Sequence, residues 1–447
     1  MAQSDAELYL RLTGERALLD PAPGRGRPDD SRLETAAHAL VAVGALTAGV
    51  AQGIVNDYGL ALAYRGGDHS HFHHARARRA ARRAMPDPAL GSLRVVPCHR
   101  LIEQSWGQLF LSYVVLSDEV TVLRVTMRPA SAPRGQRRAG TYRGRRAGGS
   151  RVGAGARGQR GAGSRVVGPG LPGQLSVTDD RGTTSAAGFS GGGSDDECRG
   201  QFEVRPPLAP DTAWLEVLGE RVGLSTAAPA GVEVRVEPRA DADPAHGYLW
   251  AKLASLAEHH APDAMETPIE ALVAAGALKA DAPVVGEVRA VAAGLFQGRG
   301  TASPTHATAP EPWRSMLARR GRAGGPEGLA VAGAATPPLD GYTLAILALR
   351  STDERFYADV ETVPGLPHWH WPSGQVDKPL LAWWAADDRG HHYLGGQEEW
   401  HFSEDRSGGQ IEFWPALDPA ARVLEIMPTT MAARAIIRVP LDWGDEP

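Results

Sequence analysis

The sequence predicts an α+β protein in which a helical segment followed by an antiparallel β-sandwich occurs twice in tandem. Three kinds of observation support this fold class: ordered internal repeats, leucines at helical spacing, and runs of β-branched and aromatic residues separated by turns. The chain has 447 residues, of which 43% are hydrophobic and 22% charged, so it is long enough to bury several cores.

The duplication rests on two pairs of matching segments. ALVAVGALTA at 39–48 recurs as ALVAAGALKA at 271–280. GQFEVRPPLAPDTAWLEV at 200–217 recurs without a gap as GQIEFWPALDPAARVLEI at 409–426. Shorter matches between these anchors, DDRG and PGLP among them, keep the same order in both copies. Because chance matches would not keep their order, we interpret the chain as a tandem duplication.

The repeats set the expected domain boundaries. Residues 1–32 form an N-terminal extension, 33–90 the first helical segment, 91–240 the first β-sandwich, 241–326 the second helical segment and 327–447 the second β-sandwich. The second helical segment carries the clearer start signal. Asp243 followed by Pro244 is typical of a helix beginning, and leucines follow at helical spacing.

Each β part contains alternating runs that predict six to eight short antiparallel strands. The last strand of the first copy is expected to end at Val236 and that of the second at Val439. This layout resembles the immunoglobulin-like modules of uncharacterised bacterial proteins. The resemblance covers the β parts only, and it implies a fold without implying an activity.

One segment, residues 36–55, is long and apolar enough to be compared with a membrane span. Its second copy soon meets Lys279, Asp281 and a proline, so we interpret both copies as buried helices and expect no membrane partner. The acidic N-terminus lacks the features of a secretory signal. Two cysteines, Cys98 and Cys198, do not make a disulfide framework. We therefore expect a cytoplasmic protein.

Arginine is concentrated in two places, although the formal net charge of −5 argues against a protein that is basic throughout. An Arg/Gly-rich insertion at 130–168 interrupts the first β part, and its composition predicts disorder. A basic helical face comes before it, with Arg76, Arg78, Arg79, Arg82 and Arg83. Guanidinium groups contact phosphates, so nucleic-acid binding is one hypothesis. GC-rich coding is the other explanation, since lysine is almost absent.

A histidine tract, DHSHFHH, supplies side chains that are good ligands for Zn²⁺, Ni²⁺ or Cu²⁺. It consists of His69, His71, His73 and His74. No cysteine or carboxylate at a familiar ligand spacing accompanies the tract, so an exposed loop without a metal is the alternative. We assign no cofactor.

Tryptophan is concentrated in the second β part. Trp369 and Trp371 alternate with histidines, whereas Trp383 and Trp384 are adjacent. Neighbouring residues of a strand point to opposite faces, so one of the adjacent pair is a candidate for exposure. Exposed rings bind sugars or protein partners well, but core packing and sheet edges can take up most of these rings, and we favour that interpretation.

Ser190 lies in the pattern G-x-S-x-G, which many serine hydrolases share. That pattern needs a strand before the serine and a helix after it, whereas an acidic, glycine-rich stretch follows here. We therefore expect Ser190 in a hairpin loop. The sequence favours a non-catalytic binding or scaffold protein with a protein partner. The alternatives are nucleic-acid binding through the arginines, and a hydrolase that uses Ser190 or a metal bound by the histidine tract.

Overall fold

The structure is a computed structural model of the chain. It describes residues 3–19, 31–66, 94–117, 121–130, 172–193, 198–224, 231–239, 243–256, 262–296, 309–363, 380–402 and 407–441. The chain divides into two compact units. Met1–Gly91 and Pro229–Glu446 form the larger unit, and Ser92–Ala228 with Pro447 forms the smaller one. The helices from both sequence copies therefore belong to the unit that holds the second sheet.

Helices of the larger unit come from both copies and share one hydrophobic core. Those in its described residues are α1 (Gln3–Leu19), α2 (Ser31–Ala42), α3 (Ala48–Gly66), α4 (Pro244–Ser255), α5 (Glu266–Ala274), α6 (Pro283–Phe296) and α7 (Trp313–Ala318). Helix α2 packs against α5. The start predicted for α4 is confirmed, because the Asp243 carboxylate accepts the amides of Ala245 at 2.9 Å and His246 at 3.2 Å. Among the described residues, no helix has the length and apolarity needed to cross a membrane.

The smaller unit is built on one antiparallel sheet with the strand order β1-β2-β3-β6-β5-β4-β7-β8. Its strands are β1 (Arg94–Gln104), β2 (Gly107–Leu116), β3 (Thr121–Pro129), β4 (Gln174–Asp179), β5 (Thr184–Gly193), β6 (Cys198–Arg205), β7 (Trp214–Val217) and β8 (Glu220–Gly223). Inward-facing residues such as Val125, Phe202 and Val217 form its own core.

The second sheet belongs to the larger unit, and its order is β10-β11-β12-β15-β14-β13-β16-β17-β9. Its strands are β9 (Glu233–Pro238), β10 (Gly328–Ala335), β11 (Thr343–Ser351), β12 (Phe356–Val363), β13 (Ala382–Asp387), β14 (His392–Phe402), β15 (Ser407–Trp414), β16 (Val423–Thr429) and β17 (Ala433–Pro440). Helices together with two large antiparallel sheets make the protein α+β.

The two sheets have the same topology, since β1 to β8 of the first follow the same order as β10 to β17 of the second. Register shifts also recur at matching places. One lies between β1 and β2 and between β10 and β11, and another lies between β2 and β3 and between β11 and β12. This topology agrees with the duplication of the β parts that the sequence indicates.

Each sheet curls so that its outermost strands approach one another, which gives it a nearly closed shape. In the first sheet, the side chain of Arg94 bridges this seam. Its Nη1 donates to the carbonyls of Pro210 at 2.8 Å and Thr212 at 3.1 Å, and its Nη2 donates to that of Leu224 at 2.7 Å. These hydrogen bonds join the start of β1 to the segments that flank β7 and β8.

Strand β9 lies in a different sheet from the one predicted. The sequence assigned the strand ending at Val236 to the first β part, but β9 pairs with β17 of the second sheet, with Val236 opposite Ala435. The assignment to the first β part was wrong, because an alternating pattern identifies a strand without identifying its neighbour. The second sheet thus gains a ninth strand from the connection between the copies.

Candidate functional site

An aspartate begins the DDRG turn of each sheet, and both side chains are buried. Oδ1 of Asp179 accepts the amides of Arg181 at 3.0 Å and Thr183 at 2.7 Å. In the second sheet, Oδ1 of Asp387 accepts the two corresponding amides, both at 2.9 Å. The turn therefore has the same geometry in both copies, and the carboxylate's first oxygen is used in holding it.

The second sheet adds a charged cluster at this turn, which we call the Asp387 cluster: Asp387, Arg319, His391, Tyr393 and Asp418. The Tyr393 hydroxyl donates to Oδ2 of Asp387 at 2.6 Å and accepts from Nη1 of Arg319 at 2.9 Å. Nδ1 of His391 lies 3.0 Å from Oδ2 of Asp387 and 3.5 Å from Oδ2 of Asp418. One buried carboxylate thus organises a phenol, an imidazole and, through the phenol, a guanidinium.

Burial raises the pKa of the Tyr393 phenol, and its hydrogen bond to Asp387 acts in the same direction. The phenol therefore stays protonated and keeps donating. Arg319 follows α7 directly, so its bond to Tyr393 fastens that helix to β14. A second link lies alongside, where the amide of His392 donates to Oγ of Ser315 at 3.2 Å.

The hydrogen bonds and ion pairs of the Asp387 cluster hold a helix against a sheet. A carboxylate behind an imidazole is also the arrangement of a general base, and Nδ1 of His391 faces the carboxylates of Asp387 and Asp418. The Tyr393 hydroxyl is already engaged by Arg319, by Asp387 and by the amide of Asp418. In the described part of the chain, no group of three His, Cys, Asp or Glu residues is arranged to hold a metal ion.

The outer faces of the two sheets differ at strands that correspond. On the second sheet, Trp384 of β13 and Leu394 of β14 pack into the core of the helices. The Trp384 ring meets Trp313 of α7 edge to face, with centroids 5.1 Å apart. The same register positions on the first sheet hold Ser176 and Ala186, and both are exposed. An apolar face that seats helices in one copy is polar and open in the other.

The first-sheet outer face is the name we give to the exposed residues of β4, β5 and β7. They are Gln174, Ser176, Thr184, Ala186, Gly188, Ser190 and Glu216. Larger side chains flank these small ones. Nη2 of Arg205 lies 2.5 Å from Oε1 of Glu203 on one side, and the Arg221 guanidinium lies 3.8 Å from the Trp214 ring centroid on the other. The result is a shallow polar surface with paired charges at its borders.

Ser190 lies within strand β5, opposite Gln201 of β6, and it is exposed. The expectation of a hairpin loop was wrong. A Cβ added to Gly200 would come 2.6 Å from the Phe189 ring, so glycine is required there for the ring to lie across the paired strands. Glycines that are typical of a loop therefore serve the packing of a strand. The next described element is β6, so Ser190 is not at a strand-to-helix turn.

Trp383 and Trp384 do point to opposite faces, but both are buried, at 3% and 7% exposure. Trp383 belongs to the core of the second sheet and Trp384 to the core shared with the helices. Core packing, the favoured interpretation, is therefore confirmed for this pair, since helices also cover the outer face at this point. Their rings contribute to the two cores and form no surface platform.

The remaining predicted binding residues lie outside the described part of the chain. They are Trp369, Trp371, Arg76, Arg79, Arg82, Arg83, His69, His71, His73, His74 and residues 131–168 of the insertion. Their proposed roles stay predictions. The two cysteines are both described and neither forms a disulfide, and burial raises the pKa of the Cys98 thiol to about 12.

Sequence analysis missed the Asp387 cluster, although the aligned copies contained the signal. Where the second copy has a histidine, a tyrosine and an aspartate, the first has Thr183, Ser185 and Ala209. Polar residues that differ between otherwise matching copies mark a site that only one copy can form.

Comparisons with known proteins give no match to a family model, to a curated protein or to a solved structure.

Proposed function

We propose that the chain is a non-catalytic binding or scaffold protein, and that its first-sheet outer face docks a protein partner. The observation that carries this proposal is the contrast between the two sheets. The face that holds helices in the second sheet is exposed in the first, where Ser176 and Ala186 replace Trp384 and Leu394. A sheet face with small side chains at its centre allows a partner to approach closely.

The charges around this face favour a protein over a nucleic acid. Glu203 is paired with Arg205, and Glu216 stands opposite Arg221 on the neighbouring strand. A surface that binds a polyanion carries an excess of basic groups, whereas protein interfaces are enriched in aromatic residues and arginine and combine them with polar contacts. Trp214 and Arg221 supply such a pair.

The test is an affinity capture from the host's lysate with three versions of the full chain. The double variant Ser176→Arg/Ala186→Arg places two long cations on the proposed face, while Ala420→Arg places one on an exposed loop of the larger unit as a control. We expect partners that bind the wild type and the control, survive nuclease treatment and are lost from the double variant. Partners that bind all three equally would contradict the proposal, and partners lost with nuclease would favour nucleic-acid binding.

We also infer that the helical segments are copies of one another, as the sequence repeats indicate. The turn after α2 and the turn after α5 support this. The amide of Ala45 donates to the Leu40 carbonyl at 2.9 Å, and that of Ala277 donates to the Leu272 carbonyl at 3.0 Å. The glycine before each donor has φ of 69° and 64°, a conformation that glycine adopts without strain. A cytoplasmic location and an immunoglobulin-like relationship remain proposals.

A further inference from the structure

We propose that helix α1 of one molecule docks on the first-sheet outer face of a second molecule of the same chain, so that the protein associates with itself. The inference rests on the proposed docking function and names the partner. Helix α1 lies in the N-terminal extension, which comes before the first repeat copy. It belongs to the larger unit, whereas the outer face belongs to the smaller one.

The solvent-facing side of α1 carries two leucines in adjacent turns. Leu8 is 57% exposed and Leu12 45%, and in the described part of the chain they are the only large hydrophobic side chains on a helix that are exposed. The opposite side of α1 is fully buried at Ala6 and Leu10. Residues four apart lie on the same side of a helix, so the two leucines form one small apolar surface. An apolar surface that faces water, opposite the side that faces the core, favours contact with another molecule.

Carboxylates lie at both ends of this leucine pair. Asp5 comes three residues before Leu8 and Glu15 three residues after Leu12, so all four lie on one side of the helix. Both acids are exposed, and Glu15 also interacts with the Tyr58 hydroxyl. We call Asp5, Leu8, Leu12 and Glu15 the α1 stripe. Since ten residues of helix rise about 15 Å, this is the separation of the two acids along the helix axis.

The first-sheet outer face has small side chains at its centre and arginines at its borders. Arg205 of β6 lies opposite Ala186 of β5, which lies opposite Ser176 of β4. Arg221 of β8 lies at the other border, opposite Glu216. In the order β6-β5-β4-β7-β8 the border strands are four spacings apart, which is about 19 Å. The two cations of the face are thus separated by a distance similar to that of the two acids of the α1 stripe.

A helix on this side of the sheet is an arrangement that the fold already contains. In the second sheet, α4 packs on β13 and α7 on β14. The smaller unit has no helix among its described residues, and Ala186 and Gly188 are exposed on its corresponding strand. Because these two side chains are small, a helix that carries leucines can approach the sheet closely there.

The charges around the two surfaces are complementary, and this favours the α1 stripe as the occupant. The Arg205 side chain is 78% exposed, so it can bind a further carboxylate beside Glu203. On the helix, the exposed Arg11 and Arg16 flank the stripe. Glu203 and Glu216 lie beside the arginines of the face, so the flanking cations also find opposite partners.

Both surfaces are exposed in the single chain, so the contact needs a second molecule. Each molecule carries one α1 stripe and one outer face. A change to either surface in every molecule therefore removes the contact. A mixture of two variants, each altered at a different surface, still contains one intact stripe and one intact face.

The first experiment measures the mass of the purified full chain in solution by sedimentation velocity across a wide range of protein concentration. The helix variant Leu8→Arg/Leu12→Arg and the face variant Ser176→Arg/Ala186→Arg are compared with Leu101→Arg, a control at a leucine of 45% exposure outside both surfaces. We expect the wild type and the control to associate as concentration rises, and both double variants to sediment as single chains. A wild type that stays a single chain at every concentration would overturn the proposal.

The second experiment mixes the helix variant with the face variant at a concentration where the wild type associates. We expect a species of two chains to return in the mixture, and no association there would overturn the proposal. Circular dichroism checks that each variant is folded. The single variants Leu12→Arg and Ala186→Arg replace a double variant that lacks the wild-type spectrum.

The outcomes separate this inference from the docking function on which it rests. If the face variant loses association and the helix variant keeps it, the face binds another element, so the role of α1 fails and docking stands. If the wild type does not associate but lysate partners are still lost from Ser176→Arg/Ala186→Arg, self-association fails and docking by a different protein stands.

Discussion

Asp387 accepts four hydrogen bonds at once, and this explains why the turn it starts also determines how α7 is held. Two of them come from backbone amides of its own turn, one from the Tyr393 phenol and one from His391. Removing the carboxylate would leave the buried Tyr393 hydroxyl without its acceptor, in addition to the two turn amides. Removing the Asp179 carboxylate, by contrast, leaves only two backbone amides without their acceptor.

We therefore expect Asp387→Ala to lower the free energy of unfolding by about 2–4 kcal/mol, because it leaves the buried Tyr393 hydroxyl and two turn amides without an acceptor. Asp179→Ala is expected to cost about 1–2 kcal/mol, the range for a lost acceptor in a turn. Urea denaturation followed by circular dichroism measures both. Equal losses would show that the cluster adds nothing to the turn.

Single residues also show where sequence analysis fails. The glycines around Ser190 predict a loop, but they lie in strand β5, where a Cβ on Gly191 would clash with the Arg199 carbonyl oxygen and come 2.7 Å from the Phe189 ring. Trp383 and Trp384 point to opposite faces as strand alternation predicts, but the burial of Trp384 depends on helices that no local pattern assigns to that sheet. Local patterns identify the element, and the packing partner decides exposure.

At the scale of elements, helix α4 carries a half-buried lysine, which predicts a pH dependence. Burial lowers the pKa of Lys252 to about 8, with the carboxylate of Glu34 opposing the shift. Between about pH 8 and 10 the unfolded chain keeps this proton and the folded chain releases it, so the free energy of unfolding rises with pH in that window. Below pH 8 both states hold the proton, and the full cost of burying the charge remains.

We expect Lys252→Met to stabilise the protein at pH 7 by about 1–2 kcal/mol and to remove the rise between pH 8 and 10. Urea unfolding across this range measures both effects, with Lys279→Met as the control at an exposed lysine. A wild-type protein whose stability is flat from pH 8 to 10, or a variant that keeps the rise, would show that Lys252 is not the group responsible.

Strand β9 joins the second sheet through backbone pairing and a row of surface ion pairs. Nη2 of Arg434 lies 2.6 Å from Oε2 of Glu237, and both side chains are more than one third exposed. Exposed ion pairs contribute little to stability, so we expect Arg434→Glu to lower the free energy of unfolding by less than about 1 kcal/mol. Adding Glu237→Arg should restore most of the loss. Thermal unfolding at low and high salt measures this, and a large loss that persists in high salt would show that packing, not charge, is affected.

At the scale of the whole molecule, the sequence predicted the α+β class and the repeated β layout, because repeats and alternation are local properties of the chain. It grouped each helical segment with the β part that follows it. In the structure, α2 of the first copy packs against α5 of the second. Only one of the two sheets has an apolar outer face on which helices can pack, and that difference depends on a few residues such as Trp384.

The smaller unit has its own core, so it is expected to fold alone. Residues 92–228 expressed separately should show a β-rich circular dichroism spectrum and one cooperative thermal transition. A spectrum typical of an unfolded chain would show that the first sheet depends on the rest of the molecule, and would contradict the division into two compact units.

The central claim is that the first-sheet outer face is a protein docking surface, and site-specific photocrosslinking tests it most directly. A photoreactive residue at position 176 places the probe on that face, and the same residue at position 420 places it on an exposed loop of the larger unit. Irradiation of the full chain in its host's lysate is expected to give discrete, nuclease-resistant protein adducts from position 176 and none from position 420. No adduct at position 176, or the same adducts from both positions, would contradict the account.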